Sequence, residues 1–591
     1  MRRSPLLIAV FIGVILGSEG IFAREIYVSK AGSDSASGSH VRPYLTINKA
    51  ASVAQPGDTV TIHAGTYREW VKPIRGGTND RKRITYRAVP GEEVFIKGSE
   101  RITSWTREAG SVWKVELPNS FFGEYNPYLL KVSGGWLNYG KWHHRGDVYL
   151  NGEAFYEKKT AQEVTEAQHS WFCQVDEEVT TIWANFGNVN PNKELTEINV
   201  RESLFMPDIT GLKYVTVDGF SFMHAAANWA PPTLELQMGA VGPRMGKHWI
   251  IENCTITNAR CVGIILGHAP GVDYSDIDAY GGHIISNNVI RRCGQAGIAG
   301  QKGATRSLIS GNLIEDTNYR REFGGWETAG IKFHNSVDTI ISGNLIRGVY
   351  RQEQGAFGIW IDFGNQGIRI TRNVVYNTQA ATVFLEMNHG PILVDNNVLI
   401  GKPTRSNSEA TVFTHNLFVD CGYEYSPDTK RRSQYYKPHT TKVAGRKAGT
   451  AQDDKWFNNI FIRQGLDQVK TASGYSSDYN VFLEGAKRSS FGDKDSVVDL
   501  YVTGLTIKDH PLRTTITFSM NDAPFRVKGP QVDAELVGVF PTVGQTIEDR
   551  YGNPIKVNAD INGKKYTRPI AGPLADLKKG LNTIVLPIKQ H

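Results

Sequence analysis

Short runs of alternating apolar and polar residues recur along the middle of the chain. One recurring phrase is an asparagine followed by aliphatic residues, found at Asn253, Asn288, Asn312, Asn344, Asn373, Asn397, Asn416 and Asn459. A second phrase is Gly-Ile followed by alternating residues, as in GIILG, GIAGQ, GIKFH and GIWID. The repeat is irregular, at roughly 20 to 35 residues, and it lacks the helical period of about 3.6 residues. This pattern predicts an all-β fold, a parallel β-helix whose short strands stack coil upon coil.

The recurring asparagine suits the turns between coils. Asparagine tolerates the left-handed backbone conformation, and its side-chain amide can bond to the equivalent asparagine of the next coil. We therefore expect a ladder of asparagines along the solenoid. A leucine-rich-repeat horseshoe would need leucines at a fixed spacing, which this sequence lacks, whereas a β-sandwich stays open as an alternative.

Departures from the repeat divide the chain. A short amphipathic helix is predicted at about residues 46–54, where it would cover the open end of the solenoid, and the first coil strand follows at 59–63. Longer, Trp-rich strands such as SVWKVEL and TTIWANF then predict an inserted antiparallel β-sandwich. The predicted divisions are a signal peptide at 1–23, the cap and first coils at 24–98, the inserted β-sandwich at 99–203, the β-helix with the active site at 204–500 and a C-terminal β extension at 501–591.

The first residues have the pattern of a secretory signal peptide. Arg2 and Arg3 are followed by an apolar stretch at 6–16 and by a plausible cleavage site after Ala23. The apolar stretch is too short to span a bilayer, and no later segment is apolar for long enough to do so. The pattern predicts a secreted or periplasmic protein without a membrane span.

Charge and cysteine content narrow the function classes. The 591 residues carry a net charge of +7 without a long basic run, so no nucleic-acid partner is expected. Neither a disulfide framework nor a zinc-site spacing is visible in the five cysteines, which are Cys173, Cys254, Cys261, Cys293 and Cys421. We expect buried free thiols, although one pair could form in an oxidising compartment. A homo-oligomer is compatible with the sequence, and no cofactor or metal is expected.

The Gly-Ile phrases set a register between coils. The register marks are Gly263, Gly297, Gly330 and Gly358, followed by Thr382 in the same position. Side chains alternate along a strand, so residues one and three places after each mark point inward, and residues two and four places after it point outward. The two outward columns contain His334, Asp362 and Glu386 in one and Lys332, Trp360 and Phe384 in the other.

Asp362 and Glu386 form a carboxylate pair on this outward face. Neighbouring strands lie about 4.8 Å apart, so the two carboxyls should lie about 5 Å from each other and the pKa of one should rise. A separation of about 5–5.5 Å is typical of retaining glycoside hydrolysis. A solvated strand face of mixed charges is the simpler interpretation, but the aromatic neighbours Trp360 and Phe384 favour a sugar site. The register leaves open which carboxylate attacks and which donates a proton.

Residues in and beside the columns are candidate substrate ligands. Lys332, His334 and Trp360 belong to the columns themselves. Asn388 and His389, in the MNHG segment directly after the second carboxylate, are expected at the rim, where amides and imidazoles bind sugar hydroxyls.

Seven stretches, in order along the chain, carry a family likeness. They are INKAASVAQPGDTVTIHAGTYREWV, DVYLNGEAFYE, NWAPPT, HWIIENCTI, AGIKFH, GIWIDFGNQG and FLEMNHGPILVDNN. At these stretches the chain resembles glycoside hydrolase family 120, a group of β-xylosidases, and the last two stretches are the most specific. The resemblance implies a right-handed parallel β-helix with an inserted immunoglobulin-like domain and a retaining mechanism. It also implies that Asp362 is the nucleophile and Glu386 the general acid/base.

Other residues of these regions are expected to contact the sugar. Glu327, in GGWETAGIKFH, is a candidate ligand of a sugar hydroxyl, or else a surface turn residue. Trp136, in GGWLNYGKWHH, would let the insert wall the pocket unless it belongs to the core of the insert. Asn228 and Trp229 fall on a loop and are expected at the pocket rim.

The sequence thus predicts a retaining exo-glycoside hydrolase that releases β-linked xylose from xylo-oligosaccharides. The alternatives are a polysaccharide lyase or other hydrolase acting on a plant or algal polysaccharide, or a non-catalytic carbohydrate-binding solenoid. Lys332 could serve as the base of a lyase, but no acidic cluster in the sequence suits calcium. A binding solenoid would show aromatic platforms without a close carboxylate pair.

Overall fold

Three parallel sheets form one long solenoid and enclose its apolar core. The computed structural model describes residues 23–230, 235–470 and 473–588, so the predicted signal peptide, except for Ala23, lies outside the described residues. The predicted all-β parallel β-helix is confirmed. Within the described residues, no helix has the length and apolar character needed to cross a membrane.

Two of the sheets have 13 strands each, and the third sheet has 7. The first sheet comprises Glu25–Val28, Thr59–Ile62, Ile84–Ala88, Val215–Asp218, Ile250–Glu252, Ile284–Ser286, Leu308–Ser310, Ile340–Ser342, Ile368–Thr371, Ile392–Asp395, Thr411–Thr414, Lys455–Phe457 and Ser476–Asp478. The second comprises Gly65–Tyr67, Val94–Lys97, Ser221–Met223, Thr255–Thr257, Val289–Arg291, Leu313–Thr317, Leu345–Val349, Val374–Thr378, Val398–Ile400, Leu417–Val419, Ile460–Ile462, Val481–Leu483 and Val497–Val498. The third comprises Val262–Leu266, Ala296–Gly300, Ala329–His334, Phe357–Asp362, Ala381–Glu386, Thr404–Ser406 and Tyr423–Tyr425.

Aliphatic side chains stack in rows inside the solenoid. Ile251, Ile285, Ile309, Ile341 and Ile370 occupy equivalent positions on successive strands of the first sheet, and all five are fully buried. Burying one such side chain stabilises a fold by about 1.5–3 kcal/mol, so each added coil extends a continuous core.

An asparagine ladder runs along the solenoid, as predicted. The side-chain Nδ2 of each asparagine donates to Oδ1 of the next at 2.9–3.1 Å, through Asn288, Asn312, Asn344, Asn373, Asn397, Asn416, Asn459 and Asn480. The left-handed backbone lies one residue earlier, for example at Asn287 (φ 55°) and Gly311 (φ 65°). The two roles predicted for one asparagine are therefore divided between neighbours. In ENCTI, Asn253 takes the left-handed position and Cys254 the ladder position.

The cap helix spans Ile47–Val53. Thr46 Oγ1 accepts a backbone N–H of the first turn at 3.1 Å, and the Glu69 carboxylate accepts two more, which places negative charge at the helix N-terminus. The strand at 59–63, which was expected to be the first of the solenoid, is the second strand of the first sheet. Glu25–Val28 precedes the helix in sequence and pairs with Thr59–Ile62 from the end of the sheet.

The insert consists of a four-stranded and a five-stranded sheet that share one core. The four-stranded sheet comprises Glu153–Ala154, Val148–Leu150, Thr196–Asn199 and Ser99–Arg101, and the five-stranded sheet comprises Tyr156–Glu157, Ser170–Val175, Val179–Asn185, Val112–Pro118 and Thr106–Ala109. Pairing is antiparallel except between the first two strands of the larger sheet. Val148 and Ile198 of one sheet pack with Val115, Trp171 and Ile182 of the other. A short helix, Ala161–Glu166, lies beside the larger sheet.

Two kinds of contact fix the insert against the solenoid. The insert strand Leu137–Tyr139 pairs antiparallel with Gly324–Gly325, which lie shortly before the third-sheet strand Ala329–His334. The buried Arg260 guanidinium of the solenoid bonds to Glu157 of the insert at 2.9 Å and to Glu322 at 2.6 Å. Because these charges are buried, the ion pairs hold only if the partners keep their geometry, so the insert is a fixed neighbour of the third sheet.

Two further units pack on the outside of the solenoid. A hairpin of Asp428–Tyr436 and Val443–Gly449 follows the last strand of the third sheet. The C-terminal region forms a sheet of Thr506–His510, Arg513–Met520 and Gly580–Pro587, with helices at Ala523–Arg526 and Ala534–Val537. Its residues Ile516 and Phe518 pack against the second sheet. Four 3₁₀ turns lie at Asp80–Lys82, Asn119–Phe122, Pro191–Lys193 and Lys302–Ala304, and all five cysteines are buried free thiols, as predicted.

Candidate active site

The third sheet has the predicted register. Strand pairing aligns Lys332, Trp360 and Phe384, and it aligns His334, Asp362 and Glu386. The register positions hold glycine for a steric reason, because the neighbouring coil approaches the backbone there too closely to admit a Cβ. A Cβ on Gly330 would lie 2.7 Å from the Gly358 carbonyl oxygen.

The outer face of this sheet is covered, which explains how it can hold a tryptophan beside a carboxylate. Trp360 is 1% and Phe384 2% exposed, and the two rings pack with Phe357 at centroid distances of 4.5 and 5.0 Å. A cavity of about 600 Å³ remains under the cover. Its lining comprises Trp136, Trp326, Glu327, His334, Asn335, Trp360, Asp362, Phe363, Phe384, Glu386, Arg405, Asn407, Ser426, Pro427, Asp428 and Arg431.

Asp362 is held in its ionised form by two cationic groups. Lys332 Nζ lies 3.0 Å and His334 Nε2 2.9 Å from the same oxygen, Asp362 Oδ2. Burial of Asp362 raises its pKa, but the charges of His334 and Lys332 outweigh burial and hold the pKa well below its usual range. Burial lowers the pKa of His334, but the charge and hydrogen bonding of Asp362, together with Glu327, outweigh burial and raise that pKa.

Glu386 has the opposite electrostatic environment. Burial and the negative charge of Asp362 raise the pKa of Glu386 to about 7, and the positive charge of Arg431 opposes that shift. Glu386 Oε2 accepts the indole Nε1–H of Trp360 at 3.1 Å, and Oε1 accepts Arg431 Nη2 at 2.5 Å. Glu386 therefore exchanges its proton near neutral pH while Asp362 stays charged.

Lys332 lies behind the cavity lining and not in it. Its ammonium is 2.6 Å from Glu327 Oε2 and 3.5 Å from the centroid of the Trp360 ring, and it donates to the Trp326 carbonyl at 3.3 Å. The expectation that Lys332 contacts substrate stays a prediction, because the residue lies outside the cavity lining. Its contacts position the two carboxylates and the indole.

One side-chain group could be considered for a metal. Glu327, His334 and Asp362 bring their ligand atoms within 4.8 Å of one another, the single such grouping of three among the described residues. The Lys332 ammonium contacts both carboxylates and neutralises the charge that a divalent cation would need. The residues present do not fit a metal ion.

The insert contributes Trp136 to the cavity wall. This side chain is 58% exposed, so it does not belong to the core of the insert. Its backbone takes the left-handed conformation (φ 64°), and its carbonyl accepts the N–H of Trp326 at 3.1 Å. A non-glycine residue in this conformation needs support from its surroundings, which the bond to Trp326 supplies.

Four expected rim residues do not reach the cavity. Asn388 is fully buried and bonds to the Ile361 carbonyl at 2.8 Å, and His389, 1% exposed, bonds to Ser433 at 2.8 Å. Trp229 is 1% exposed.

Asn228 and Trp229 instead support the insert loop. Asn228 Oδ1 accepts the N–H of Ser133 at 3.0 Å, and Trp229 Nε1 donates to the Gly135 carbonyl at 3.2 Å. Both contacts lie within three residues of Trp136 in sequence. None of the four lines the cavity and their hydrogen bonds are to the fold, so their contact with substrate stays a prediction.

The sequence reasoning missed the contribution of the hairpin. Asp428 and Arg431, on its first strand, line the cavity, and Arg431 bonds directly to Glu386. The TKRRSQYY segment shows a cluster of positive charge, but no local pattern indicates which coil such a charge would face. Only the folding of the hairpin over the third sheet brings Arg431 to the carboxylate.

Family models match two parts of the chain. The model described as "Glycoside hydrolase 120, insertion domain" matches residues 102–170 and 162–198, which cover most of the insert. The model described as "Right handed beta helix region" matches residues 242–423, which include every strand of the third sheet except part of the last. The handedness of the solenoid follows from this second match.

A solved structure matches nearly the whole chain. The complex structure of XylC with xylose shares 34% sequence identity with this chain, covers 95% of it and 100% of the XylC chain, and superposes with a TM-score of 0.87. A GH136 lacto-N-biosidase from Eubacterium ramulus is 12% identical over 81% of this chain and 68% of its own, but its TM-score of 0.42 is too low to support an argument. The uncharacterized protein YwoF of Bacillus subtilis (strain 168) is 41% identical over 73 residues, which span 12% of this chain and 15% of YwoF.

Proposed function

The chain belongs to glycoside hydrolase family 120, and from that premise we propose that it releases β-linked xylose from xylo-oligosaccharides by a retaining, exo-acting mechanism. The match to XylC, solved with xylose bound, supports this sugar. The observation that carries the proposal is the pairing of an ionised Asp362 with a Glu386 whose pKa is about 7 on the adjacent strand. A retaining glycosidase needs one carboxylate and one carboxylic acid at the same pH.

In the first step, Asp362 attacks the anomeric carbon of the xylosyl unit. Asp362 Oδ2 is held by Lys332 and His334, so Oδ1 is the oxygen that forms the new bond. Glu386 donates its proton to the glycosidic oxygen as the bond from that oxygen to the anomeric carbon breaks. The shortened oligosaccharide leaves as an alcohol, and the xylosyl unit remains as an ester of Asp362.

In the second step, Glu386 works as a carboxylate. It takes a proton from a water molecule, whose oxygen attacks the anomeric carbon and releases Asp362. Two inversions at one carbon give net retention, so xylose leaves as the β-anomer. The exposed Trp136 ring supplies apolar surface on which a sugar ring can stack.

The structural details favour hydrolysis over the alternative enzyme class. A lyase of this fold would need a free base beside a uronate carboxylate, whereas the Lys332 ammonium is bound between two carboxylates that stabilise its charge. A solenoid that only binds carbohydrate gains nothing from two buried, neighbouring carboxyls whose pKa values are shifted in opposite directions.

A panel of aryl β-glycosides tests the proposal. We expect the β-xyloside to be cleaved with the highest kcat/KM and NMR to show β-xylose as the first product. Release of the α-anomer would contradict retention. Formation of an unsaturated uronide from a uronate polymer, detected by its absorbance, would support a lyase instead.

Two broader features belong to the same proposal. Secretion or periplasmic location, proposed from the N-terminal segment, predicts activity in the medium or periplasmic fraction of producing cells. Self-association is a further proposal, and light scattering at micromolar concentration would show whether the chain forms a homo-oligomer.

A further inference from the structure

Both oxygens of Glu386 are engaged by N–H donors. Trp360 Nε1–H points at Oε2 from 3.1 Å, and Arg431 Nη2–H points at Oε1 from 2.5 Å. A carboxylic acid that donates to a glycosidic oxygen must carry its proton on one of these oxygens and direct it at the substrate. Each oxygen has a second lone pair that can carry the proton beside the N–H it accepts, but N–H donors stabilise the carboxylate over the acid, so opening of one contact favours proton transfer.

Trp360 is not the group that can withdraw. It is 1% exposed, its ring lies 4.5 Å from Phe357 and 5.5 Å from Phe384, and Lys332 Nζ covers its face at 3.5 Å. A buried ring with neighbours on several sides has no free rotamer to enter.

Arg431 has the freedom that Trp360 lacks. Its side chain is 45% exposed and extends from the hairpin, outside the sheet that carries the carboxylates. Its Nε bonds to Asp428 at 2.6 Å, which keeps the guanidinium near the cavity when the contact of Nη2 with Glu386 opens. The Phe363 ring lies 5.8 Å from the guanidinium carbon of Arg431, so the guanidinium can pack on this ring when it leaves Glu386.

The position of Arg431 also identifies what displaces it. A leaving oxygen must come within hydrogen-bonding distance of Glu386 to receive the proton, and the sugar attached to that oxygen then lies beside Arg431. Ser426, Pro427 and Asp428, which line the cavity with Arg431, form the same side of the site.

We propose that Arg431 is a positioning residue that favours the carboxylate form of Glu386 while the leaving-group side of the cavity is empty and withdraws when a leaving sugar occupies it. This inference rests on the retaining mechanism proposed above. Arg431 then matches the two charge states of Glu386 to the two steps. The acid form is available when the leaving group is bound, and the base form is favoured after the leaving group has departed, when water must be activated.

Kinetics of Arg431→Met with two substrates test this role. 2,4-Dinitrophenyl β-xyloside needs no acid for its first step, so its kcat reports the base form of Glu386, whereas xylobiose needs the acid. A cation that contacts a carboxylate lowers its pKa, so its removal should raise the acidic limb of kcat for the dinitrophenyl substrate by about one pH unit. At pH values below that limb, kcat of the variant should be about tenfold lower than kcat of the wild type. The alkaline limb of kcat/KM for xylobiose should move upward as well.

Two variants make the test specific. Arg432→Met removes the adjacent arginine, which bonds to the Arg446 carbonyl within the hairpin and does not contact Glu386, so its profiles should match those of the wild type. Arg431→Lys keeps the charge and should recover most of the wild-type profile, and it also serves if the methionine variant fails to fold.

The inference is overturned if the Arg431→Met and wild-type pH profiles superimpose, or if Arg432→Met shifts them equally. A different result identifies failure of the proposed function. If the wild-type chain cleaves neither xyloside, the retaining mechanism and the role of Arg431 fall together, whereas cleavage by the wild type with unshifted Arg431 variants rejects Arg431 alone.

Discussion

Asp362 and Glu386 are partners across neighbouring strands, yet their pKa values move in opposite directions. Burial acts on both carboxyls in the same sense and raises the pKa of each. The difference comes from their neighbours, because Lys332 and His334 contact Asp362, whereas Glu386 experiences the negative charge of Asp362 and has Arg431 as its one cationic contact in the described structure. One strand spacing thus separates a permanent anion from a group that can exchange a proton.

Replacing Glu386 by alanine should reduce activity most for substrates whose leaving group needs a proton. We expect kcat/KM for xylobiose to fall about 10³-fold, because no proton reaches the glycosidic oxygen. Hydrolysis of 2,4-dinitrophenyl β-xyloside should keep its first step, and added azide should restore turnover and yield β-xylosyl azide. The azide product, identified by NMR, assigns the acid/base.

Asp362→Ala is the matched variant for that assignment. Loss of the nucleophile should abolish turnover of both substrates, since no ester can form. Full activity in both alanine variants would contradict the mechanism.

Lys332→Met should change the pH profile through Asp362. Because Lys332 lowers the pKa of Asp362, its removal raises that pKa, and the acidic limb of kcat/KM moves to higher pH. One to two pH units below the shifted limb, we expect kcat/KM of the variant to be about 10- to 100-fold below its plateau. Lys302→Met is the control, because Lys302 lies 4.3 Å from the Tyr274 ring outside the site and makes a similar cation–aromatic contact. A uniform loss at every pH would instead indicate simple misfolding.

The register of the third sheet could be predicted because it depends on a local rule. Alternation along a strand and stacking between coils suffice to align His334 with Asp362 and Asp362 with Glu386. The glycine marks made the alignment visible, since close approach of the next coil excludes a Cβ at those positions.

The cover of the site could not be predicted in the same way. Trp136 and Arg431 reach the cavity from the insert and the hairpin, and their placement depends on long-range packing that leaves no period in the sequence. His389 shows the reverse case. It follows the acidic column directly in sequence, but the chain turns inward there and buries its imidazole against Ser433.

Trp136→Ala should weaken binding of the oligosaccharide without destabilising the fold. The indole is 58% exposed and lines the cavity, so its loss removes a stacking surface but little core. We expect KM for xylobiose to rise about three- to tenfold, with the thermal midpoint unchanged. Trp142→Ala is the control, because this residue, just beyond the strand Leu137–Tyr139, stacks on His143 at 3.7 Å and does not line the cavity. An equal rise in KM for both variants would contradict a direct contact of Trp136 with substrate.

His439 should make the stability of the protein depend on pH between about 6.5 and 8. The imidazole connects the hairpin to the solenoid and the C-terminal region, with Nδ1 3.1 Å from Asp338 and Nε2 3.1 Å from Glu548. Hydrogen bonding to Asp338 raises the pKa of His439 to about 8 against the opposing effect of burial, and Arg306 lies 4.0 Å from the same aspartate.

Since the pKa of His439 is raised on folding, its contribution to stability is complete below the unfolded pKa of about 6.5 and is lost as the pH rises through 8. The site is partly exposed, so the contribution is about 1 kcal/mol. Thermal unfolding of the wild type and of His439→Gln from pH 6 to pH 9 measures it. The wild type should be the more stable at pH 6, and the two midpoints should converge towards pH 9. His40→Gln, at an exposed position beside Tyr27, should leave the wild-type slope unchanged, and a constant difference between wild type and His439→Gln would show that the contact is not charge-dependent.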